Sequence, residues 1–486
     1  MYPKKVLHWI NGRETAPLSG KFIARQNPAT GEILAEVAQG GKSDIKKAVD
    51  AATKTFGSWS LTPVIARANI LRKAAQLIGE RKEEIARIVS VEGGKSVRNA
   101  LGEAEAAMEL GYFIAGEGRR FYGKTTTSAM PNRAAETRRE AVGVCGLIIA
   151  SNTPLPNVAW KAFPALLCGN AAITKPSEDT PLSALWFAKT LKEAGLPDGV
   201  FSVVQGLGKE AGAALAQNPQ VDLISFTGSV AVGKWITQTA GERLARVCLE
   251  LGGKNPLVVC DDADLESAAN FAVNSAFSNA GQRCASGSRI IIFDSVYEKF
   301  REIFLAKTKA LKIGVSDEDD LGPVINERQL QNMLKELAAA KKRGAKIIAG
   351  GNRLSGGKYK NGFYLEPTIL ENISPEDEIS QHELFGPIAI LYRVKDFNHA
   401  LELANNSSFG LTAAIHTKNI HRAEVFKQKC RAGVISVNGP THGSEPHLPF
   451  GGIKNSGNGW REPGAEALDV YSEWKTIYTR HDPEQA

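Results

Sequence analysis

The residues best suited to covalent chemistry lie in a short segment of small side chains past the middle of the chain. Cys284 stands in residues 278–289, SNAGQRCASGSR, between a helical pattern and a strand pattern. Glycines and small side chains leave the backbone open to a ligand, and a cysteine thiol is an intrinsically strong nucleophile. Because most cysteines are structural, a buried or incidental thiol is the alternative interpretation.

Two polar side chains in other segments extend this candidate site. Glu250 ends an apolar strand pattern just before paired glycines, where an unpaired carboxylate is costly to bury. Asn152 lies in a turn after a predicted strand, where its amide can donate to an oxyanion. The alternatives are a solvent-facing glutamate on an edge strand and an asparagine that only forms the turn.

The elements that must position these residues alternate between strand and helix. Strand patterns cover residues 144–150, 171–174, 201–204 and 221–226, with helical patterns near 160–168 and 181–194. A second alternating series begins near residue 255 and runs past residue 430. Strands separated by such helices indicate parallel βαβ units, whose sites lie at the carboxyl ends of the strands. The sequence therefore predicts two α/β domains, the first of them doubly wound.

Composition and charge exclude several classes of protein. The 486 residues are 43% hydrophobic and 23% charged, which is typical of a folded chain and not of a disordered one. No apolar run approaches the roughly 18–20 residues of a membrane span, and no secretory signal is visible. The net charge is +7, but 59 basic residues are interleaved with 52 acidic ones, so no nucleic-acid surface is expected.

The six cysteines are scattered and form no CxxC motif. This pattern predicts neither a disulfide framework nor a metal site, and it suits a reducing compartment. A cytoplasmic location is therefore expected.

Four motifs give the chain a close resemblance to the aldehyde dehydrogenase superfamily. They are LELGGK at 249–254, GQRC at 281–284, ELFGP at 383–387 and PFGGIKNSG at 449–457. The resemblance runs from about residue 9 to residue 476, and the separation of 34 residues between Glu250 and Cys284 is the usual one in that family. It implies an α/β fold with a Rossmann-like cofactor domain, a second α/β catalytic domain and a small β arm for oligomerisation.

The resemblance implies oxidation of an aldehyde to its carboxylic acid through a cysteine thiohemiacetal and a thioester. Cys284 would attack the carbonyl, Asn152 would hold the oxyanion with the Cys284 N–H, and Glu250 would activate the hydrolytic water. One alternative is an acyl transferase that passes the thioester to coenzyme A; Glu250 argues against it. A non-catalytic binding or structural member is the other, and the intact catalytic set argues against that.

The cofactor implied by the resemblance is NAD, with NADP as an alternative. Residues 206–211, GLGKEA, fit the dinucleotide pattern G-x-G-x-x-G/A, but a tight turn explains them equally well. The turn at 226–229, with Gly228 and Ser229 at a helix start, is the favoured pyrophosphate site.

Further cofactor contacts are implied around the ribose groups. Lys175 and Glu178 would face the adenosine ribose, where a carboxylate accepts from ribose hydroxyls and repels a 2′-phosphate. Ser177 lies between them, and Glu383 and Phe385 would hold the nicotinamide ribose and ring. The alternatives are a surface ion pair for Lys175 and Glu178, and ordinary core packing for Phe385.

Two segments depart from the family pattern and bear on the substrate. Ala150, Ser151 and Thr153 surround Asn152 where many members carry proline, tryptophan and an aromatic residue. The loop at 441–447, THGSEPH, is also polar. Both favour a small or polar aldehyde, although the loop histidines have a solvated surface role as their alternative.

The resemblance also predicts domain boundaries and a symmetric assembly. The ranges are 1–119 and 143–252 for the NAD-binding domain, 253–435 for the catalytic domain, 436–465 for a loop returning to the NAD-binding domain, and 120–142 with 466–486 for the arm. A strand pattern at the extreme C-terminus would be an exposed edge unless it were covered, which predicts a homodimer or homotetramer.

Overall fold

The computed structural model describes residues 2–485, which form two seven-stranded sheets and two three-stranded sheets. The first large sheet has the strand order Arg246–Glu250, Leu223–Thr227, Val144–Ile148, Ala171–Lys175, Phe201–Val203, His8–Ile10 and Arg13–Thr15. The first five of these strands run parallel, and the last two join in antiparallel pairing.

The winding of this sheet reverses beside its third strand. The chain passes from Val144–Ile148 to Ala171–Lys175 on one side and later returns to Leu223–Thr227 on the other. A ligand crevice is expected at such a switch point, outside the carboxyl ends of the strands. Asn152 follows one of the two strands at this point, and Gly228 follows the other.

The second large sheet follows the first directly along the chain. Its strand order is Lys346–Ala349, Thr368–Glu371, Ile388–Val394, Gly287–Phe293, Asn255–Val259, Thr412–His416 and Val434–Val437. All neighbours are parallel except the first pair. Only residues 251–254 separate Glu250 from Asn255. The carboxyl end of a strand in the first sheet therefore leads directly into the amino end of a strand in the second.

Helices cover both faces of both large sheets. They are Lys42–Leu61, Val64–Glu80, Lys82–Gly93, Val97–Glu117, Pro154–Leu167, Pro181–Ala194, Ala213–Gln217, Val230–Gly241, Leu265–Phe277, Tyr297–Lys309, Glu327–Lys342, Glu378–Gln381, Phe397–Asn405, Ile420–Lys429 and Ala467–Val470. Buried apolar clusters lie on the two faces of each sheet, which is why the central strands are apolar on both sides. None of the helices within residues 2–485 combines the length and the hydropathy that crossing a membrane requires.

The two small sheets are mainly antiparallel. One consists of Lys5–Val6, Ile33–Ala38 and Phe22–Gln26. The other, which we call the arm, consists of Ser472–Arg480, Arg133–Ala141 and Lys124–Thr127. Its outer strand exposes Trp474 and Tyr478, whose rings lie against Arg139 and Arg133. The doubly wound sheet, the second α/β sheet and the β arm are all present, as the sequence predicts.

Candidate active site

Cys284 is presented by a sharp turn between helix Leu265–Phe277 and strand Gly287–Phe293. Asn279, Ala280 and Gly281 have φ angles of 53°, 53° and 66°, so three consecutive residues are left-handed. At Gly281 a Cβ atom would overlap the carbonyl group of Gly386, so glycine is required there for space as well as for conformation. Strain of this kind is commonly concentrated at functional sites.

Buried polar side chains fix the backbone on the other side of Cys284. The Nδ2 group of Asn255 donates to the carbonyl oxygens of Cys284, at 2.8 Å, and Ser286, at 2.9 Å. The hydroxyl of Thr441 donates to the Ala285 carbonyl at 2.7 Å. These bonds hold the backbone around Cys284, which is itself half-buried.

Asn152 is held with one end of its amide free. Its Oδ1 atom accepts from Asn157 Nδ2 at 3.1 Å, and its backbone carbonyl accepts from Lys95 Nζ at 2.7 Å and Asn279 Nδ2 at 3.2 Å. In the part of the chain that the structure describes, the Nδ2 group of Asn152 donates to no acceptor. A preorganised N–H donor is therefore available where a developing oxyanion needs one.

Glu250 ends the outermost strand of the first sheet, yet its side chain is only 5% exposed. The alternative of a solvent-facing carboxylate is therefore wrong. Neither carboxylate oxygen has a hydrogen-bond partner within residues 2–485. Burial, with the nearby carboxylate of Glu462, raises the pKa of Glu250 well above its ordinary value, while Lys161 opposes that shift.

The groups that act on Glu250 form a buried polar cluster. Lys161 Nζ donates to Glu462 Oε2 and to Ser225 Oγ, both at 2.7 Å, and the Ser225 hydroxyl donates to Glu462 Oε1 at 3.1 Å. The Tyr471 hydroxyl donates to the same Glu462 oxygen at 2.6 Å. Glu462 is therefore fully buried, and both of its carboxylate oxygens accept hydrogen bonds. The oxygens of Glu250, in contrast, accept none within residues 2–485.

Cys284 stands where two cavities meet. A chamber of about 300 Å³ is lined by Cys284, Asn152, Glu250, Glu383 and Phe385, among others. A second cavity of about 460 Å³ is also lined by Cys284 and Asn152. We call the first the reaction chamber and the second the outer cavity. Trp160 and Phe450, whose ring centroids are 5.5 Å apart, line both of them.

A groove of about 820 Å³ continues from the reaction chamber across the switch point of the first sheet. Gly228, Ser229 and Phe385 line both spaces. The segment at 206–211 also reaches the groove, through Leu207, Gly208 and Lys209, but does not reach the reaction chamber. Both turns considered in the sequence therefore face the groove.

The predicted ribose-binding residues lie in this groove. Lys175, Ser177 and Glu178 line it, and Lys175 Nζ is 3.1 Å from Glu178 Oε2. Burial opposes ionisation of Glu178, but Lys175 and neighbouring hydrogen bonds outweigh it and lower the pKa of this carboxyl. At neutral pH the groove thus presents a carboxylate beside a lysine.

Glu383 lines the reaction chamber but not the groove, whereas Phe385 lines both. Glu383 Oε1 accepts from the Gly253 N–H at 3.0 Å, and a Cβ atom at Gly252 would overlap the Glu383 carboxylate. Burial raises the pKa of Glu383 to about 7, partly offset by the Gly253 hydrogen bond and by Lys254. Phe385, which has a φ of 56°, lines both the reaction chamber and the groove.

The thiol itself is protonated in this environment. Burial, reinforced by the carboxylates of Glu383 and Glu250, raises the pKa of Cys284 to about 12. Its nucleophilic form therefore requires that the proton be removed. A thiol, a free amide N–H and an unpaired carboxylate around one chamber are the groups that nucleophilic acyl chemistry needs.

Several lining residues have roles that the sequence does not predict. Asn157 orients Asn152, and Lys95 holds its backbone from 57 residues away. Phe450 belongs to a quoted motif, but its pairing with Trp160 depends on tertiary structure. Only a pattern of contacts in three dimensions identifies these residues.

Comparison with known proteins places the whole chain in one family. The profile described as "Aldehyde dehydrogenase family" matches residues 15–477. Alpha-ketoglutaric semialdehyde dehydrogenase of Bacillus subtilis is 38% identical over 477 residues, covering 98% of each chain. Human retinal dehydrogenase 2 is 39% identical over 476 residues, covering 96% of this chain and 90% of its own.

Among solved structures, betaine aldehyde dehydrogenase from Staphylococcus aureus in complex with NAD+ superposes with a TM-score of 0.96. It is 33% identical and covers 98% of this chain and 95% of its own. The match confirms the fold class predicted from the sequence. Together with the profile, it shows that the chain belongs to the aldehyde dehydrogenase family.

Proposed function

We propose that this protein oxidises a small or polar aldehyde to its carboxylic acid with NAD, through a covalent intermediate on Cys284 that water hydrolyses. The observation that carries this proposal is the reaction chamber, where Cys284, Asn152 and Glu250 meet between the groove and the outer cavity. Each of the three groups then has one role.

Cys284 is the nucleophile in this proposal. After the thiol proton has passed to solvent water, the sulfur bonds to the aldehyde carbon, and the carbonyl π electrons move to oxygen to give a thiohemiacetal oxyanion. The free Nδ2 group of Asn152 and the Cys284 backbone N–H donate to that oxyanion. Since the Asn152 amide is already oriented by Asn157, it needs no reorganisation when charge develops.

The groove fits a dinucleotide. It is about 820 Å³ in volume and continues into the reaction chamber. The close approach of Gly252 and Glu383 is possible only without a Cβ atom. NAD bound there would supply a hydride acceptor beside Cys284. Glu178 would accept from the adenosine ribose hydroxyls, Ser177 would line the same end, and Glu383 would accept from the second ribose.

Glu250 is the base that activates water for hydrolysis of the thioester. Both of its oxygens are free, so it can accept a water proton as the water oxygen bonds to the acyl carbon and the sulfur leaves. Transfer of the acyl group to coenzyme A would not require such a base. Hydrolysis is therefore favoured over the acylating alternative.

The lining of the outer cavity supports a small or polar aldehyde. Lys95, Arg283 and His442 face it together with Ser444 and Glu445. Relatives of similar identity are named for substrates as different as a semialdehyde and retinal. Sequence identity to these relatives therefore does not indicate which substrate this protein uses. The polar lining of the outer cavity is the observation that favours small or polar aldehydes.

The proposal includes a homo-oligomeric assembly and a cytoplasmic location. We expect a homodimer or homotetramer formed through the arm, whose outer strand Ser472–Arg480 leaves Trp474 and Tyr478 exposed. The six cysteines are unpaired in the structure, which suits the reducing conditions of the cytoplasm.

A panel of aldehydes tests the proposal. Wild-type protein should form NADH, followed by its absorbance, from small polar aldehydes with a higher kcat/KM than from long apolar ones. Addition of coenzyme A should not raise the rate. Strict dependence on coenzyme A would favour acyl transfer, and no NADH from any aldehyde would favour the non-catalytic alternative.

A further inference from the structure

Most charged groups around the outer cavity already have partners. Lys95 Nζ is 2.5 Å from Glu103 Oε1, and its remaining bond goes to the Asn152 carbonyl. These two opposite charges neutralise each other. Glu109 and Glu445 also line the cavity, but both are exposed and therefore screened by water.

Arg283 is the exception on this wall. Its Nε group donates to Ser278 Oγ at 3.2 Å, whereas neither terminal nitrogen donates to any acceptor in residues 2–485. Glu103 favours the Arg283 charge from a distance, but the hydrogen bond of that carboxylate is made to Lys95. Two guanidinium nitrogens are thus left facing the cavity without a partner.

His442 does not supply a competing charge. Burial and the positive charge of Arg283 lower the pKa of His442 to about 4, so the imidazole is neutral at physiological pH. Its Nε2 atom lies 3.4 Å from Ser278 Oγ, the same hydroxyl that accepts from Arg283. His442 and Ser278 therefore support the arginine and leave its charge uncompensated.

We propose that the terminal guanidinium nitrogens of Arg283 bind an acid group on the substrate, so that the preferred aldehydes are short oxo acids. This inference rests on the proposed function and names the substrate class of the same site. A guanidinium offers two parallel N–H groups that match the two oxygens of a carboxylate. Arg283 immediately precedes Cys284, so a short chain separates the bound acid from the reacting carbon.

The test compares two aldehydes of equal length, 4-oxobutanoate and butanal, with NAD. In the wild-type protein, kcat/KM should be higher for 4-oxobutanoate and should fall with ionic strength, while the value for butanal stays constant. Arg283→Gln should lower kcat/KM for 4-oxobutanoate by about 10- to 100-fold, mainly through KM, because a charge-assisted hydrogen-bonded pair is lost. Butanal oxidation should change by less than about 3-fold, within the usual context dependence of a single contact.

Two further variants separate binding from structure. Arg283→Lys keeps the charge and should recover part of the loss for 4-oxobutanoate. Arg72→Gln is the matched control, since Arg72 is exposed on helix Val64–Glu80 and does not line the outer cavity. It should leave the ratio of the two kcat/KM values unchanged.

The outcomes distinguish failure of the inference about Arg283 from failure of the proposed function. Equal losses for both aldehydes in Arg283→Gln would mean that the arginine only supports the Cys284 loop, and the inference would be wrong. A wild-type preference for butanal would overturn it as well. Failure of the wild-type protein to oxidise either aldehyde, or any other, would instead overturn the proposed function.

Discussion

Replacement of Glu178 by glutamine tests the cofactor groove most directly. The change removes one negative charge next to Lys175 and keeps the shape of the side chain. In the proposed complex this charge faces the adenosine ribose, where NADP carries a 2′-phosphate and NAD carries a hydroxyl. Glu178→Gln should therefore improve the use of NADP relative to NAD.

The expected size follows from the geometry. Two unit charges about 4 Å apart interact by about 1–4 kcal/mol at effective dielectric constants of 80 to 20. The side chain of Glu178 is 30% exposed, so solvent screening favours the lower part of that range, about 1–2 kcal/mol. Freed from its contact at 3.1 Å, Lys175 would add attraction for the phosphate. We expect the ratio of kcat/KM for NADP to that for NAD to rise by about 10-fold.

The assay measures kcat/KM for each cofactor at a saturating concentration of one aldehyde. Glu210→Gln provides a matched control, because Glu210 accepts from Gln39 Nε2 at 2.8 Å and does not line the groove. Its cofactor ratio should remain that of the wild-type protein. An unchanged ratio in Glu178→Gln, or an equal rise in Glu210→Gln, would refute the placement of Glu178 at the ribose.

Four other predictions concern the catalytic groups, the pH dependence of the reaction and the arm. Cys284→Ala should abolish NADH formation while titration calorimetry still detects NAD binding; activity above a few per cent of the wild-type kcat would exclude Cys284 as nucleophile. Glu250→Gln should give a stopped-flow burst near one NADH per subunit and then turn over about 10²- to 10⁴-fold more slowly, as expected on loss of a general base. A slow hydride step without a burst would place Glu250 earlier in the reaction. The wild-type rate should rise with pH above neutrality, because both Cys284 and Glu250 have raised pKa values and must lose their protons to act; a falling rate would contradict that reasoning. Deletion from Val470 onward should give monomers or insoluble chains by light scattering, and a fully active soluble monomer of the intact protein would disprove the role of the arm.

The sequence predicted elements well where the signal is local. The apolar run at 144–150 contains strand Val144–Ile148, and Gly195 ends helix Pro181–Ala194 in a left-handed conformation, as its residue type indicates. The preceding helix begins at Pro154, before the predicted start near residue 160, because proline is well tolerated in the first helical turn. The C-terminal strand pattern predicts a strand from Val470 to Tyr478, but the strand begins only at Ser472, since Val470 ends a short buried helix.

The residues of the candidate site also differ in whether a local sequence signal identifies them. Cys284 and Glu250 carry local signals, since each stands beside glycines in a recognisable motif. Lys161 and Glu462 form a buried ion pair across 301 residues, and no local pattern connects them. Lys161 lies in a mainly apolar helix that contains no acidic residue to pair with it. The partner that makes its burial tolerable is supplied only by the fold.

The buried tyrosine that is bonded to Glu462 links the site to the arm. Tyr471 donates to Glu462 and is followed immediately by the strand of the arm, and its carbonyl accepts from Asn170 Nδ2 at 2.8 Å. The arm strand therefore begins one residue after the tyrosine whose hydroxyl bonds to the carboxylate beside Glu250. In the homo-oligomer proposed above, the contacts of the arm would lie next to the hydrogen bond of the carboxylate that raises the pKa of Glu250. Chains cut after Ser472 would retain the tyrosine while losing the strand, so their activity would show how far the site depends on the arm.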